Sequence, residues 1–433
     1  MHIVKAVFSS IVFVFLMATA VVNAASPYEG YTFYASGSGA YLVDMEGNIV
    51  HSWKGSGTAV CEAYLLEDGS VLFPLNNNCS TRIDGAHPSG RIQKIEWDGS
   101  ITWDYSYCPS NYGPGYDIEP MPDGNVLLPA DNSSSAGIIY EIKPSGDSDG
   151  EIVWQYALPD SLNSSGSSTS IPGGGTYINS VSYNPDLDYI LVDLQEPVRK
   201  LVVIDHGGSG EVVYTYTAAS SGRLHGAIWS SPYYIGTRTP VPDADTVAMR
   251  INNLLVVNNT SRVVEVNMFS NTLVKSISYS FLNNEGSVQR LPNGNTLVQK
   301  GMDQTTISEL DDDGNEIAEI TAKGRCSRAY RYGYEYPGVS RLSTASSVES
   351  GVRKNTEGIS YDNQSGMCRI TLPSTSRASA VVSLYTVSGS LVSLRRTTGY
   401  SLSISTDELN AGVYCVKVQH ATGVFGTEFV KVR

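Results

Sequence analysis

The chain has 433 residues, 41% of them apolar and 17% charged, which supplies ample core and excludes disorder for most of its length. A net charge of −14 excludes the clustered cationic surface that nucleic-acid phosphates require. Tyrosine is abundant, 27 against 9 phenylalanines, while histidine is scarce at 6. Met1 to Lys5 is a short basic stretch, Ala6 to Val22 is apolar, and Val22-Asn23-Ala24 offers small residues to signal peptidase. Residues 1–24 are therefore expected to be a signal peptide. No later stretch is long and apolar enough to span a bilayer, so a secreted, extracellular or cell-surface product is expected. Six cysteines (Cys61, Cys79, Cys108, Cys326, Cys368, Cys415) would then meet an oxidising environment, with 15 pairings open. No CxxC pair is present, so a thiolate zinc site is not expected, nor is any other metal or cofactor.

From Tyr41 onward one unit repeats. YLVDMEGNIVHSW from Tyr41, IQKIEWDGSITWDY from Ile92 and IIYEIKPSGDSDGEIVWQY from Ile138 are each an alternating strand, a polar turn and a second strand. LVVIDHGGSGEVVYTY from Leu201, VVEVNMFSNTLVKSISY from Val263 and ISELDDDGNEIAEI from Ile307 continue the series. The residues before the turns, Val43, Ile95, Ile142, Ile204, Val266 and Leu310, are spaced 52, 47, 62, 62 and 44 apart. A second hairpin family interleaves: AYLLEDGSVLF from Ala63, DIEPMPDGNVLL from Asp117, INSVSYNPDLDYILV from Ile178 and VQRLPNGNTLV from Val288. His225-GAIWSSP with INNLLVVNN from Ile251 is a looser member. Two hairpins per period of about 50 residues make one four-stranded propeller blade. The first copy lacks its inner hairpin, and the segment from Ser327, SRAYRYGYEYPGVSRL, is placed to supply those inner strands and close the ring.

The predicted fold is all-β: a six-bladed β-propeller over residues 25–342, followed by a small C-terminal β-sandwich. A Ser/Gly-rich linker, 343–358, separates it from alternating strands over residues 359–433. LYTVSGSLV, LNAGVYCVKV and the terminal FVKV resemble the C-terminal sorting domain of the type IX secretion pathway. That resemblance implies an outer-membrane secretion machinery as partner, with the domain cleaved or used for surface attachment.

In a propeller the starts of the innermost strands converge on a central funnel, where ligands bind. Aligning the inner hairpins by their turns makes Cys61, Tyr116 and Gly286 equivalent, with Tyr177 and His225 at the corresponding starts of their blades. Of the other histidines, His2 falls in the signal segment and His420 in the tail, while His51, His87 and His206 read as surface or packing residues. Asp311-Asp312-Asp313-Gly314 lacks the alternating spacing and distal Glu of a calcium loop and reads as a hairpin turn. No spaced acidic pair marks a glycosidase.

GYTFYASGSGAYLVDMEGNIVHSW, RIQKIEWDGSITWDYSY, DIEPMPDGNVLL, YINSVSYNPDLDYILV, GSVQRLPNGNTLV and RAYRYGYEYPG together resemble the bacterial arylsulfotransferase family, in unbroken order from about Gly30 to Leu342. The resemblance implies a six-bladed propeller that moves a sulfuryl group from an aryl sulfate ester to a phenolic acceptor. A funnel histidine carries the group, and neighbouring histidines and an arginine stabilise its oxygens. The nucleophile phrase matches at Leu224-His225-Gly226-Ala227-Ile228-Trp229. Family histidines are replaced by Tyr116 in Gly115-Tyr116-Asp117-Ile118 and by Tyr177 in Tyr177-Ile178-Asn179-Ser180. The family arginine is replaced by Gln195. Tyr and Gln donate hydrogen bonds but carry no positive charge at neutral pH, and losing one such stabiliser typically costs about 10²–10³ in rate. Arg199 and Arg223 are the cations nearest Gln195 and His225 in sequence. Two expectations stand: a sulfotransferase using His225, with Tyr116, Tyr177, Gln195 and Arg223 binding substrate, or a catalytically degenerate propeller whose tyrosines hold a glycan or aromatic ligand at the cell surface.

Overall fold

The computed structural model describes residues 26–59, 63–77, 90–109, 112–115, 117–131, 137–162, 176–195, 198–218, 224–230, 252–258, 262–279, 286–301 and 304–342. Beyond these it describes the strand backbones of 358–362, 367–371, 380–386, 391–397, 401–405, 412–420 and 423–432, with a few side chains. The expected signal segment, most of the linker, and Tyr116, Arg223, Cys61, Cys79 and His87 lie outside the described residues. The chain divides into two compact units, Met1–Thr344 and Ala345–Arg433.

The first unit is an all-β, six-bladed propeller. From inner to outer strand, blade 1 is Ala329–Tyr332, Tyr31–Ser36, Gly39–Val43 and Ile49–Lys54, and blade 2 is Tyr64–Leu65, Val71–Leu75, Arg91–Ile95 and Ile101–Ser106. In blade 3 two short segments, Gly113–Pro114 and Glu119–Pro120, share Val126–Asp131, followed by Ile138–Ser145 and Asp149–Ala157. Blade 4 is Ile178–Asn184, Tyr189–Leu194, Lys200–Asp205 and Val212–Thr217. Blade 5 is Leu224–Trp229, Asn253–Asn258, Arg262–Asn267 and Thr272–Ser278. Blade 6 is Ser287–Arg290, Thr296–Gln299, Thr306–Leu310 and Glu316–Thr321.

The six turn-preceding residues are structurally equivalent. Val43, Ile95, Ile142, Ile204, Val266 and Leu310 are all buried, and the outer hairpin shifts register at each of them. The bulge adds twist, which lets the outer strands splay as the blade widens from the axis. Turn chemistry repeats with it. In the Asp311 turn, Asp311 Oδ1 accepts from the Asp313 and Asn315 amides while Gly314 takes φ +89°, the left-handed position of a hairpin bulge.

Ring closure differs in one detail from expectation. The segment after Ser327 contributes one strand to blade 1, and Tyr31–Ser36 supplies the second. The reason is the tight Gly37-Ser38 turn, with Gly37 at φ +61°, which pairs Ser36 with Gly39 and makes Tyr31–Ser36 a strand. Arg331, among the largest fully buried side chains, fastens this seam: Nε donates to Thr32 Oγ1 at 2.7 Å and Nη1 to the Tyr28 carbonyl at 2.6 Å.

Blades are joined by buried ion pairs at recurring positions. Glu141, Glu265 and Glu309 each precede a bulge residue, and each accepts from an asparagine of its own blade: Asn125, Asn253 and Asn295. The following blade supplies a basic side chain to each: His206 at 2.9 Å, Arg290 at 2.6 Å and Arg331 at 3.4 Å. Aromatic residues fill the spaces between blades. Trp103 Nε1 donates to the Asp149 carbonyl of blade 3, and Trp229 Nε1 to the Ser182 carbonyl of blade 4. Cys108 is disulfide-bonded, whereas Cys326 is a free thiol whose pKa burial pushes up to about 12.

The second unit contains two antiparallel sheets. One orders Gly358–Asp362, Met367–Thr371 and Ser401–Ser405; the other orders Leu391–Thr397, Ala380–Thr386, Gly412–His420 and Gly423–Val432.

Candidate functional site

Strand pairing places the inner strands in common register. Across two ladders from the six bulge residues stand Leu65, Pro120, Tyr183, Trp229, Arg290 and Arg331. Counting four residues back along the chain gives Cys61, Tyr116, Asn179, His225, Gly286 and Ser327, of which Cys61 and Tyr116 lie outside the described residues. The ladder shift between His225 and Ile228 leaves His225, paired with Val257, only three pairs from Trp229, and the blade 4 residue three pairs from Tyr183 is Ser180, paired with Asp193. Tyr177 precedes the blade 4 ladder, which begins at Ile178. The inner turn of blade 4 is one residue longer than those of blades 2, 3 and 6, and its ladder shifts between Ile178 and Ser180.

His225 is 4% exposed on the inner strand of blade 5. Its Nδ1 lies 2.8 Å from the Gly286 carbonyl oxygen of blade 6. A carbonyl only accepts, so Nδ1 carries the proton and Nε2 keeps the lone pair. Burial pushes the ring pKa down to about 4, and the positive charge of Arg328 adds to that shift while the Gly286 bond opposes it. The imidazole is thus neutral at neutral pH, with its nucleophilic nitrogen defined.

The backbone beside it is specialised. The ladder shifts between His225 and Ile228, and Gly226 takes φ +63°. A Cβ there would lie 3.0 Å from the Gly286 carbonyl oxygen, so the close carbonyl and the left-handed φ both favour glycine, while Arg328 Nη2 lies at an ordinary contact distance of 3.7 Å from the same point. The Gly226 amide donates to Asn179 Oδ1 at 2.9 Å.

Arg328, on the closing segment of blade 1, is the cation that sequence reasoning missed. It is 3% exposed, and Nη1 donates to Tyr64 Oη at 2.9 Å and Tyr330 Oη at 2.8 Å while lying 3.6 Å from Asp117 Oδ2. Asp117 is saturated, accepting from the Ile118 amide at 2.9 Å, the Val181 amide at 3.1 Å and the Tyr64 hydroxyl at 3.2 Å. Two more buried carboxyls complete the cluster. Burial, reinforced by the charge of Asp117, raises Glu119 to about 8, and it accepts from the Tyr183 amide at 3.2 Å. Burial likewise raises Asp193 to about 8.

Tyr177 is buried, and its carbonyl accepts from the Gln195 amide at 3.0 Å, which brings those two candidates together through their backbones. Gln195 is half-buried, and its own carbonyl accepts from Val198 at 3.1 Å and Arg199 at 2.9 Å. Tyr116 and Arg223 lie outside the described residues. The signal for Arg328 was present in the sequence: it opens the segment already assigned to close the ring. Tyr64, Asp117, Glu119 and Asp193 gave none, because nothing local marks which strand residues turn toward the axis. Among the described residues no group of three or more His, Cys, Asp and Glu is placed to hold a metal.

No family model and no curated protein matches the chain. Solved structures do. A Bacteroides caccae protein of unknown function is 14% identical with a TM-score of 0.46, covering 70% of this chain and 98% of its own. Hydrazine synthase of Kuenenia stuttgartiensis is 13% identical with a TM-score of 0.43, covering 68% and 81%. The WD40 β-propeller domain of Doa1 is 12% identical with a TM-score of 0.40, covering 69% and 85%. At these identities the likeness extends to the fold alone.

Proposed function

We propose that the propeller transfers a sulfuryl group from an aryl sulfate ester to a phenolic acceptor through a sulfohistidine at His225. In the first step Nε2 attacks sulfur, the N–S bond forms and the bond from sulfur to the aryl oxygen breaks. In the second step the acceptor oxygen takes the sulfuryl group and Nε2 regains its lone pair. The observation that carries this reading is the Nδ1–H bond to Gly286 in a buried ring held neutral, which leaves Nε2 the free nucleophile. Arg328 supports it by providing the positive charge that Tyr116, Tyr177 and Gln195 lack. The direct test incubates the protein with 4-nitrophenyl sulfate and a phenol. Transfer is expected, with a sulfuryl adduct on the peptide containing His225, and His225→Ala should lower the rate at least 10³-fold. Absence of transfer across a panel of aryl sulfates overturns the reading.

One observation favours the alternative, a non-catalytic funnel binding a glycan or aromatic ligand. The His225–Gly286 bond is one of a set by which inner-strand side chains join the next blade, as Asn179 joins Gly226 and Ser287 joins Ala329. On that reading His225→Gln lowers stability without touching any turnover. We also propose export through the segment 1–24, which the disulfide at Cys108 supports, and a β-sandwich tail that engages an outer-membrane secretion machinery. Deleting residues 345–433 should then leave the propeller in the periplasm.

A further inference from the structure

Asp193 differs from Asp117 and Glu119, the other two buried carboxyls of the cluster around Arg328. It is 0% exposed, at the fifth position of the blade 4 strand Tyr189–Leu194, paired with Ser180. Ser180 Oγ donates to the Ala227 carbonyl at 3.3 Å, so this side of blade 4 faces the residues that directly follow His225. The Ala227 amide approaches the Asp193 carboxyl closely enough to lower its pKa somewhat, but not in hydrogen-bonding geometry, and neither carboxyl oxygen has a hydrogen-bond partner. Arg328 reaches the same stretch of blade 5, with Nη2 3.7 Å from where a Cβ at Gly226 would lie, and its charge bears on both Asp193 and His225. By contrast Asp117 is saturated and Glu119 is bound to the Tyr183 amide.

A buried carboxyl without partners is costly, and such groups call for an explanation. The proposed chemistry supplies one. A phenolate is a poor leaving group, since a phenolic hydroxyl ionises near pH 10, and an acceptor phenol must lose its proton in return. His225 cannot shuttle that proton, because its only N–H is held by Gly286. We propose that Asp193 is the acid–base residue of the funnel, giving its proton to the departing aryl oxygen and recovering one from the acceptor hydroxyl. This rests on the sulfuryl-transfer reading. Over both steps the carboxyl, the imidazole and the count of protons return to their starting state. The raised ionisation range of Asp193 fits, since the acid must still hold its proton at neutral pH.

The test compares two donors with Asp193→Asn. 4-Nitrophenyl sulfate releases a stable anion and needs little proton transfer; phenyl sulfate needs it fully. The variant is expected to lose about 10²–10⁴-fold on phenyl sulfate and less than tenfold on 4-nitrophenyl sulfate. Equal losses on both donors, or none on either, overturn the proposal alone, whereas a wild type inactive on every donor overturns the functional reading and this proposal with it. Thermal unfolding at pH 7 is the second readout. Asp193→Asn should unfold at or above the wild-type temperature, and a marked decrease would reveal a structural partner and overturn the assignment.

Discussion

At the scale of single residues, the funnel separates two ionisations that ordinary side chains would place in the reverse order. His225 is pushed down to about 4 and Asp193 up to about 8, in both cases chiefly by burial. The histidine must be neutral and the carboxyl protonated for the proposed transfer, so the rate should be bell-shaped, with limbs near pH 4 and pH 8. Rates measured on phenyl sulfate between about pH 3 and about pH 9, roughly one unit beyond each limb, check this. In Asp193→Asn the alkaline limb should disappear. The same group bears on stability. Asp193 binds its proton more tightly folded than unfolded, so the unfolding free energy falls as pH rises from about 4 to about 8.

At the scale of elements, the joints between blades are the vulnerable points. Glu265 and Arg290 are each 1% exposed, and the pair is supported by Asn253 on one side and Thr296 on the other. Removing one member leaves a buried charge. Arg290→Met should cost about 3–5 kcal/mol in urea unfolding, and Glu265→Leu combined with Arg290→Met should recover much of that loss. His206 serves the joint between blades 3 and 4, with Nε2 2.9 Å from Glu141 and Nδ1 2.7 Å from Asp188. Of the three matched joints it alone uses a titratable base, so its contribution is present below the ordinary histidine range and declines as pH rises through the raised folded value.

At the scale of the whole molecule, a ring closed by one C-terminal strand makes cooperativity depend on Ala329–Tyr332. A chain ending at Thr344 should unfold in the same cooperative transition as the full propeller, because the compact unit ends there. A chain ending at Lys323 loses Arg328, Arg331 and the inner strand of blade 1, and should show no cooperative unfolding by calorimetry. The same deletion removes the only guanidinium seen beside Gly226 among the described residues, so fold and site fail together.

Blade number, the two hairpin families and the closing of the ring by the segment after Ser327 were legible in the sequence, although that segment gives one inner strand and Tyr31–Ser36 the second. They depend on strand alternation and glycine turns, which are local properties, and on a period long enough to count. The excess of tyrosine was legible only in part. Tyr34, Tyr330, Tyr332 and Tyr336 pack the closing seam, while Tyr64 and Tyr330 also bind Arg328. Within the described site, His225 was legible directly and Arg328 only through its place in the segment that closes the ring. That Ser180 rather than Tyr177 shares the register of His225, that Arg328 lies beside Gly226, and that neither Asp193 carboxyl oxygen has a hydrogen-bond partner follow from bulges and ring closure. Local sequence set the strands and turns; only the tertiary structure decided which six strand starts converge, because convergence is a property of the closed ring and of no blade within it.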